Sequence, residues 1–121
     1  MAQIDRWYVG IGLLWLIAGL FLGFYMGAAN DARWLDTHVA MVLTGFATLT
    51  IYGAVFRLWP AMSKPGLARI QFWSSVVGAL GIISGATEMA LGGGVTLAAA
   101  GGALFILGAL LMGWLFWSES A

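Results

Sequence analysis

Four long apolar runs, separated by short polar segments, dominate the pattern of residues along this chain. They cover about Trp7–Ala29, Thr37–Trp59, Ile70–Met89 and Val95–Trp117. Each run has close to the ~20 residues that an α-helix needs, at ~1.5 Å per residue, to cross the hydrocarbon core of a bilayer. The pattern therefore predicts four membrane-spanning helices. The first run is longer than the ~7–15-residue core of a signal peptide, so we expect it to be retained as a span.

The segments between the runs are short and carry residues that end helices. Pro60 and Pro65 lie in the second connection, and Gly92 to Gly94 form the third. Short connections place consecutive helices side by side in opposite directions. We therefore predict an all-α, integral membrane, up-down-up-down four-helix bundle that forms one domain over residues 1–121.

The composition agrees with a membrane protein and excludes several kinds of site. Hydrophobic residues make up 62% of the 121 residues and charged residues only 8%, whereas soluble domains carry about 25% charged residues. The net charge is zero and no basic run is present, which argues against a nucleic-acid partner. The absence of cysteine excludes disulfides, iron–sulfur clusters and thiolate-bound metals.

Basic residues are concentrated at one end of the predicted bundle. They are Arg6, Arg57, Lys64 and Arg69. The loops at the other end hold Arg33 together with Asp31, Asp36 and Glu88. Because lysine and arginine favour the cytoplasmic side of a membrane, we expect both termini in the cytoplasm, with the chain in a bacterial inner membrane.

The chain has 18 glycines, and two groups of small residues are spaced to form stripes along helices. Gly19, Gly23 and Gly27 form the first stripe; Ser74, Gly78, Gly81 and Gly85 form the second. Such stripes indicate either close helix packing or room for a flat cofactor or a small apolar substrate. Four short helices enclose little volume, so a bulky cofactor would fit between protomers more easily, which predicts a homo-oligomer.

His38 is the only histidine, and it begins the uncharged run that continues to Phe56. An imidazole in a membrane span is costly, and three interpretations remain open. It could be an interfacial residue that meets water and headgroups, a heme ligand, or a proton relay or pH sensor acting with Asp36 or Glu88. A zinc or copper site needs three or four ligands, which one histidine per chain does not supply.

Several residues near His38 are candidates for a shared site. At ~100° per residue, Met41, Gly45 and Tyr52 lie on the same helix face as His38. Gly45 would leave room under a planar ring, Tyr52 would supply a polar tip, and Thr44 lies on an adjacent face. Arg33, in the preceding loop, could meet the propionates of a bound heme. The methionines available as a second axial ligand are Met26, Met41 and Met89.

The stretch from His38 to Pro60, HVAMVLTGFATLTIYGAVFRLWP, resembles the second helix of heme–copper oxidase subunit I and of small oxidase-like membrane proteins. In that family this helix carries a histidine ligand of the low-spin heme, which maps to His38. The copper centre and the second heme require further histidines that this chain lacks. An oxygen-reducing, proton-pumping oxidase is therefore excluded.

The size, the four spans and the spacing of His38, Thr44 and Gly45 also resemble styrene oxide isomerase. Members of that family form trimers with heme b near the subunit interfaces, and their second helix begins with a histidine followed, six and seven residues on, by Asn-Gly. His38 and Gly45 match this pattern, and Thr44 replaces the asparagine.

The resemblance implies a homotrimer that binds heme b through His38. It further implies a Lewis-acid isomerase of apolar epoxides from the bilayer, with Thr44 or Tyr52 positioning the substrate. The alternatives are a non-enzymatic heme module (electron transfer, gas sensing or an oxidase accessory) and a heme-free structural membrane protein.

Overall fold

A computed structural model describes residues 1–120, which form four long helices and no strand. Helix α1 covers Ile4–Ala29, α2 Leu35–Leu58, α3 Gly66–Ala90 and α4 Thr96–Glu119. All four are long and apolar enough to cross a membrane, which confirms the predicted number of spans and the all-α class. Their boundaries differ from the predicted ones by at most four residues.

Consecutive helices run antiparallel. Helix α1 packs mainly against α2, and α4 packs mainly against α3, with α2 and α3 joining the two pairs. The start of α1, the α2–α3 connection and the end of α4 lie together at what we call the termini end. The α1–α2 and α3–α4 connections lie together at the loop end. The chain is therefore a helical bundle built from two tightly packed pairs.

A buried polar network connects three helices in the half of the bundle nearer to the termini end. The Tyr8 hydroxyl of α1 donates a 2.6 Å hydrogen bond to Oε1 of Gln71 on α3. The Gln71 Nε2 group donates to the Ser75 hydroxyl at 3.0 Å and to the Gly108 carbonyl of α4 at 3.2 Å. Because buried polar groups in a bilayer must find partners within the protein, this network links α1, α3 and α4 in one arrangement.

The small-residue stripe on α3 is covered by α4. A Cβ atom at Gly81 would lie 2.7 Å from the Cα of Gly101, and one at Gly78 would lie 2.6 Å from the backbone nitrogen of Phe105. The next glycine along, Gly85, likewise meets the backbone of α4. Of the two interpretations of this stripe, close helix packing is the one that applies.

The reversal between α1 and α2 begins at Asn30, which adopts a left-handed conformation with φ 51°. The Asn30 N–H donates to the Gly27 carbonyl at 3.4 Å and the Asp31 N–H to the Met26 carbonyl at 3.0 Å. Asparagine tolerates this conformation, and the two bonds satisfy carbonyls at the helix end. The turn brings the first residues of α2 beside the last turns of α1.

Residues Met41–Thr48 in the middle of α2 form a π-helix, in which the Thr48 hydroxyl donates to the Leu43 carbonyl at 2.8 Å. A π-turn holds more residues than an α-turn, so it rotates the following residues relative to those before it. Beyond this segment, Gly53 packs against α1, and Arg57 forms an ion pair with Asp5. The prediction that Tyr52 shares a face with His38 assumes a regular α-helix, whereas a π-helical segment lies between the two residues.

Candidate functional site

The His38 side chain is half-buried against α1 at the loop end. Its Nδ1 atom lies 2.9 Å from the carbonyl oxygen of Gly19. A carbonyl oxygen only accepts hydrogen bonds, so Nδ1 carries the hydrogen. In the neutral ring this leaves Nε2 as a lone-pair donor, and Nε2 makes no hydrogen bond within residues 1–120. The contact with α1 thus fixes both the tautomer and the orientation of the ring.

The glycine stripe on α1 allows the ring to lie directly on the helix. A Cβ atom at Gly23 would approach His38 Cε1 to 2.9 Å, closer than van der Waals contact permits. One turn further on, a Cβ at Gly27 would meet nothing within 4 Å. This stripe therefore begins as a packing surface for the imidazole and ends in open space.

That open space is a cavity of about 310 Å³ beside His38. Its lining comes from the end of α1, the α1–α2 loop and the first turns of α2, with no contribution from α3 or α4. The lining residues are Gly23, Met26, Gly27, Asn30, Asp31, Ala32 and His38. The cavity therefore lies at the outer surface of the chain rather than at the centre of the bundle. Met26 is the one of the three candidate methionine ligands that lines it.

Polar groups of the loop border the cavity. Asp31 is part of the lining, and its Oδ1 atom accepts a 3.0 Å hydrogen bond from the Arg33 backbone N–H. The exposed Arg33 guanidinium stacks on the Trp34 ring, 5.6 Å from its centroid. Arg33 directly follows the lining residue Ala32 in the chain, but it is not part of the cavity lining, and it forms no salt bridge within residues 1–120.

Gly45 and Met41 face α1, as His38 does, but the space beside them is filled. A Cβ atom at Gly45 would lie 2.5 Å from Cγ of Trp15, because the indole ring occupies that position. The Met41 Cβ lies 3.5 Å from where a Cβ of Gly19 would stand. The prediction that Gly45 leaves room for a planar ring is therefore wrong, since Trp15 packs onto it.

Thr44 and Tyr52 lie outside the cavity lining. Thr44 is half-buried within the π-helical segment. Tyr52 is 14 residues from His38 in the chain, so about 20 Å separates them along the helix axis. Its ring packs edge-on against Tyr8, with centroids 5.7 Å apart, and lines a groove with Met112 and Gly113 of α4. The structure does not bring Tyr52 and His38 together.

Neither of the acidic residues proposed as proton partners forms a hydrogen bond with the imidazole within residues 1–120. Asp36 is exposed, and the Gly19 carbonyl, rather than a carboxylate, orients His38. Glu88 packs against Gly93, with its Oε1 atom buried and without a hydrogen-bond partner within residues 1–120.

Two features of this arrangement were not expected from the sequence. One is the Gly19 carbonyl as the partner of His38, a backbone atom that no residue pattern indicates. The other is Gln71, the centre of the buried network. Gln71 had a usable signal, because an amide side chain inside an apolar run demands a hydrogen-bond partner.

Within residues 1–120, no three His, Cys, Asp or Glu side chains come together as a ligand set for a metal ion. The functional group that this site offers for binding or catalysis is therefore a single oriented imidazole beside an open cavity. No protein-family model matches the chain, and neither a curated protein nor a solved structure shows significant similarity to it.

Proposed function

We propose that this protein binds heme b in the membrane, with Nε2 of His38 as an axial ligand. The observation that supports the proposal most is the bond between Nδ1 and the Gly19 carbonyl. Metal-bound histidines commonly donate their other ring nitrogen to a carbonyl or carboxylate, which fixes the ring and raises its basicity. Gly27 adds to the fit, because its missing side chain leaves space beside the ligand.

The residues around the cavity would have distinct roles toward this group. Gly23 and Gly27 allow close approach to α1, and Arg33 follows the loop segment nearest to His38, where a propionate could be paired. A bound heme would supply electron transfer when both axial positions are filled, or polarisation of a substrate oxygen when one stays open. Met26 lines the same cavity and is our candidate for the second ligand.

Isomerisation of an apolar epoxide has less support than heme binding itself. Thr44 and Tyr52, the residues expected to position the substrate, do not line the cavity that contains His38. We therefore limit the proposal to a heme-binding membrane protein. Conversion of styrene oxide to phenylacetaldehyde by purified, heme-loaded protein would extend it to catalysis.

We also propose that the functional unit is a homo-oligomer, with a trimer expected from the resemblance. The cavity is lined by one side of the chain only, so a flat cofactor there would keep one face uncovered by its own protomer. A second copy would cover that face. Cross-linking in mild detergent tests this, and finding only monomers would contradict it.

The proposed orientation places both termini in the cytoplasm of a bacterial cell. It is supported by the four basic residues at the termini end. The absence of cysteine makes cysteine-accessibility labelling simple, because any introduced thiol is unique. Ser118→Cys should be protected from an impermeant maleimide in intact cells and Ala32→Cys should react; the reverse pattern would invert the orientation.

Heme binding is tested by visible absorption of the protein purified in mild detergent. We expect a Soret band that is lost in His38→Ala. The matched variant is His38→Asn, whose amide can still donate to the Gly19 carbonyl but has no atom in place of Nε2. It should lose the Soret band, and in the heme-free form it should have the same unfolding temperature as the heme-free parent protein. No Soret band in the parent, even with heme supplied during expression, would sink the proposal.

A Met26→Leu variant sharpens the same experiment. If Met26 is the second ligand, the parent spectrum is six-coordinate and low-spin, and the variant becomes five-coordinate and high-spin. A spectrum that is high-spin in both proteins would show that the sixth position is open. Either result leaves the role of His38 intact.

A further inference from the structure

A second cavity, of about 450 Å³, lies between α1 and α2 at the termini end, opposite to the His38 end. It is a groove with an apolar interior and a charged mouth. Its interior is formed by Val9, Gly10, Leu13, Gly53 and Ala54. Gly10 has open space where a side chain would stand, with nothing within 4 Å. The groove therefore offers an apolar channel along the outside of the helix pair, as an acyl chain requires.

Three charged residues form the mouth of this groove: Asp5, Arg6 and Arg57. Arg57 donates from Nη1 to Asp5 Oδ2 at 2.9 Å, and its side chain remains 75% exposed. A guanidinium has five N–H donors, so this single bond leaves most of them free. Arg6 is exposed and forms no salt bridge within residues 1–120. The mouth therefore carries an excess of one positive charge and several unused donors.

We infer that this groove binds an anionic glycerophospholipid. One acyl chain would lie over Gly10 and Ala54, both of which are exposed, and the phosphate would be held by Arg6 and Arg57. The position of the arginines at the helix ends matches the level of lipid headgroups, where basic pockets between spanning helices recognise anionic lipids. The inference does not depend on heme, because the groove shares no residue with the His38 cavity.

The experiment is native mass spectrometry of protein released from mixed micelles containing chain-matched phosphatidylglycerol and phosphatidylcholine. The parent protein should retain phosphatidylglycerol in preference. Arg6→Gln should lower that preference by about fivefold, the effect of about 1 kcal/mol per basic residue at an anionic surface. Arg6 suits this test because its removal breaks no salt bridge within the described residues.

Filling the groove gives an independent test. Gly10→Leu should strongly reduce lipid retention, since the new side chain would occupy the apolar channel. Gly102→Leu is the matched control: Gly102, on α4, also has nothing within 4 Å but lies outside the groove. Each variant must show the unfolding temperature of the parent protein.

Three outcomes would overturn the inference. Equal retention of the two lipids by the parent protein would remove the anionic specificity. Equal retention by Gly10→Leu and Gly102→Leu would place the lipid elsewhere. Loss of an oligomer in Gly10→Leu, with lipid retention unchanged, would assign the groove to a second copy of the chain.

Discussion

The two glycine stripes have nearly the same spacing and different partners. On α3, Gly81 meets the backbone of Gly101 on α4, and no side chain intervenes. On α1, Gly23 meets the imidazole of His38, and Gly27 meets nothing. A stripe of small residues therefore determines how closely a neighbour can approach, whereas the neighbour determines whether the result is a closed interface or a cleft.

The difference arises in the neighbouring helices. Helix α4 presents small residues of its own, Ala98, Gly101 and Gly108, so the backbones of α3 and α4 come into contact. Helix α2 instead begins, after the Asn30 turn, with a half-buried histidine in its first turns. The ring lies against Gly23, and the cavity opens one turn further along α1, at Gly27.

The largest expected effect follows from inserting a side chain into the closed interface. Gly81→Val would drive two methyl groups against the Gly101 backbone, which has no rotamer to change. Overpacking of this kind typically costs about 1–3 kcal/mol. We expect the unfolding free energy to fall by about 3 kcal/mol here, because the contact joins the backbones of α3 and α4 and neither can move aside as a side chain can. Unfolding by SDS titration in mixed micelles, followed by circular dichroism, measures it.

The control for that variant is Gly102→Val, one residue from the contact on α4. Gly102 has open space around it, so the change should stay within about 0.5 kcal/mol of the parent protein. Equal destabilisation by the two variants would mean that the contact between α3 and α4 is not the source of the effect.

A smaller effect is expected where the two helix pairs are joined. Tyr8→Phe keeps the ring packing against Phe72, whose centroid lies 4.9 Å away, and removes the donor to Gln71 Oε1. Hydrogen bonds between membrane helices contribute on average about 0.6 kcal/mol, and an unpaired buried acceptor adds to the loss. We expect about 1 kcal/mol in the same SDS titration.

Tyr25→Phe is the matched control for this change, because Tyr25 lies on the same helix, 49% exposed. It should leave the unfolding free energy unchanged. A Tyr8→Phe protein as stable as Tyr25→Phe would show that the network adds nothing to the joint between the pairs.

The sequence was sufficient for the number, class and order of the helices. The apolar runs are long, the connections short, and Pro60, Pro65 and the glycine triplet interrupt them clearly. The location of His38 near the end of a span could be predicted for the same reason. These features depend on local composition and on the thickness of a bilayer, both of which a single chain displays.

The site could be predicted only in part, because it depends on the register between helices. The face assigned to His38 included Tyr52 on the assumption of a uniform helix, and no residue in Met41–Thr48 signals the π-helix that lies between them. The filling of Gly45 by Trp15 requires knowing which residues of α1 and α2 lie opposite each other. Single-residue patterns do not contain that information.

The smallest expected effect on stability comes from the open end of the α1 stripe. Gly27→Leu adds a side chain where nothing lies within 4 Å, so the unfolding free energy should change by less than about 0.5 kcal/mol. The same side chain would fill part of the cavity beside His38. If heme binds there, the Soret absorbance per protein should fall severalfold, although His38 and its bond to the Gly19 carbonyl remain.

Gly113→Leu, at an equally open glycine near the other end of the bundle, should keep the parent absorbance. The Soret band could instead be lost in His38→Asn but unchanged in Gly27→Leu. His38 would then remain the ligand, and the heme would lie on the other side of the imidazole ring, enclosed by a second protomer rather than by α1.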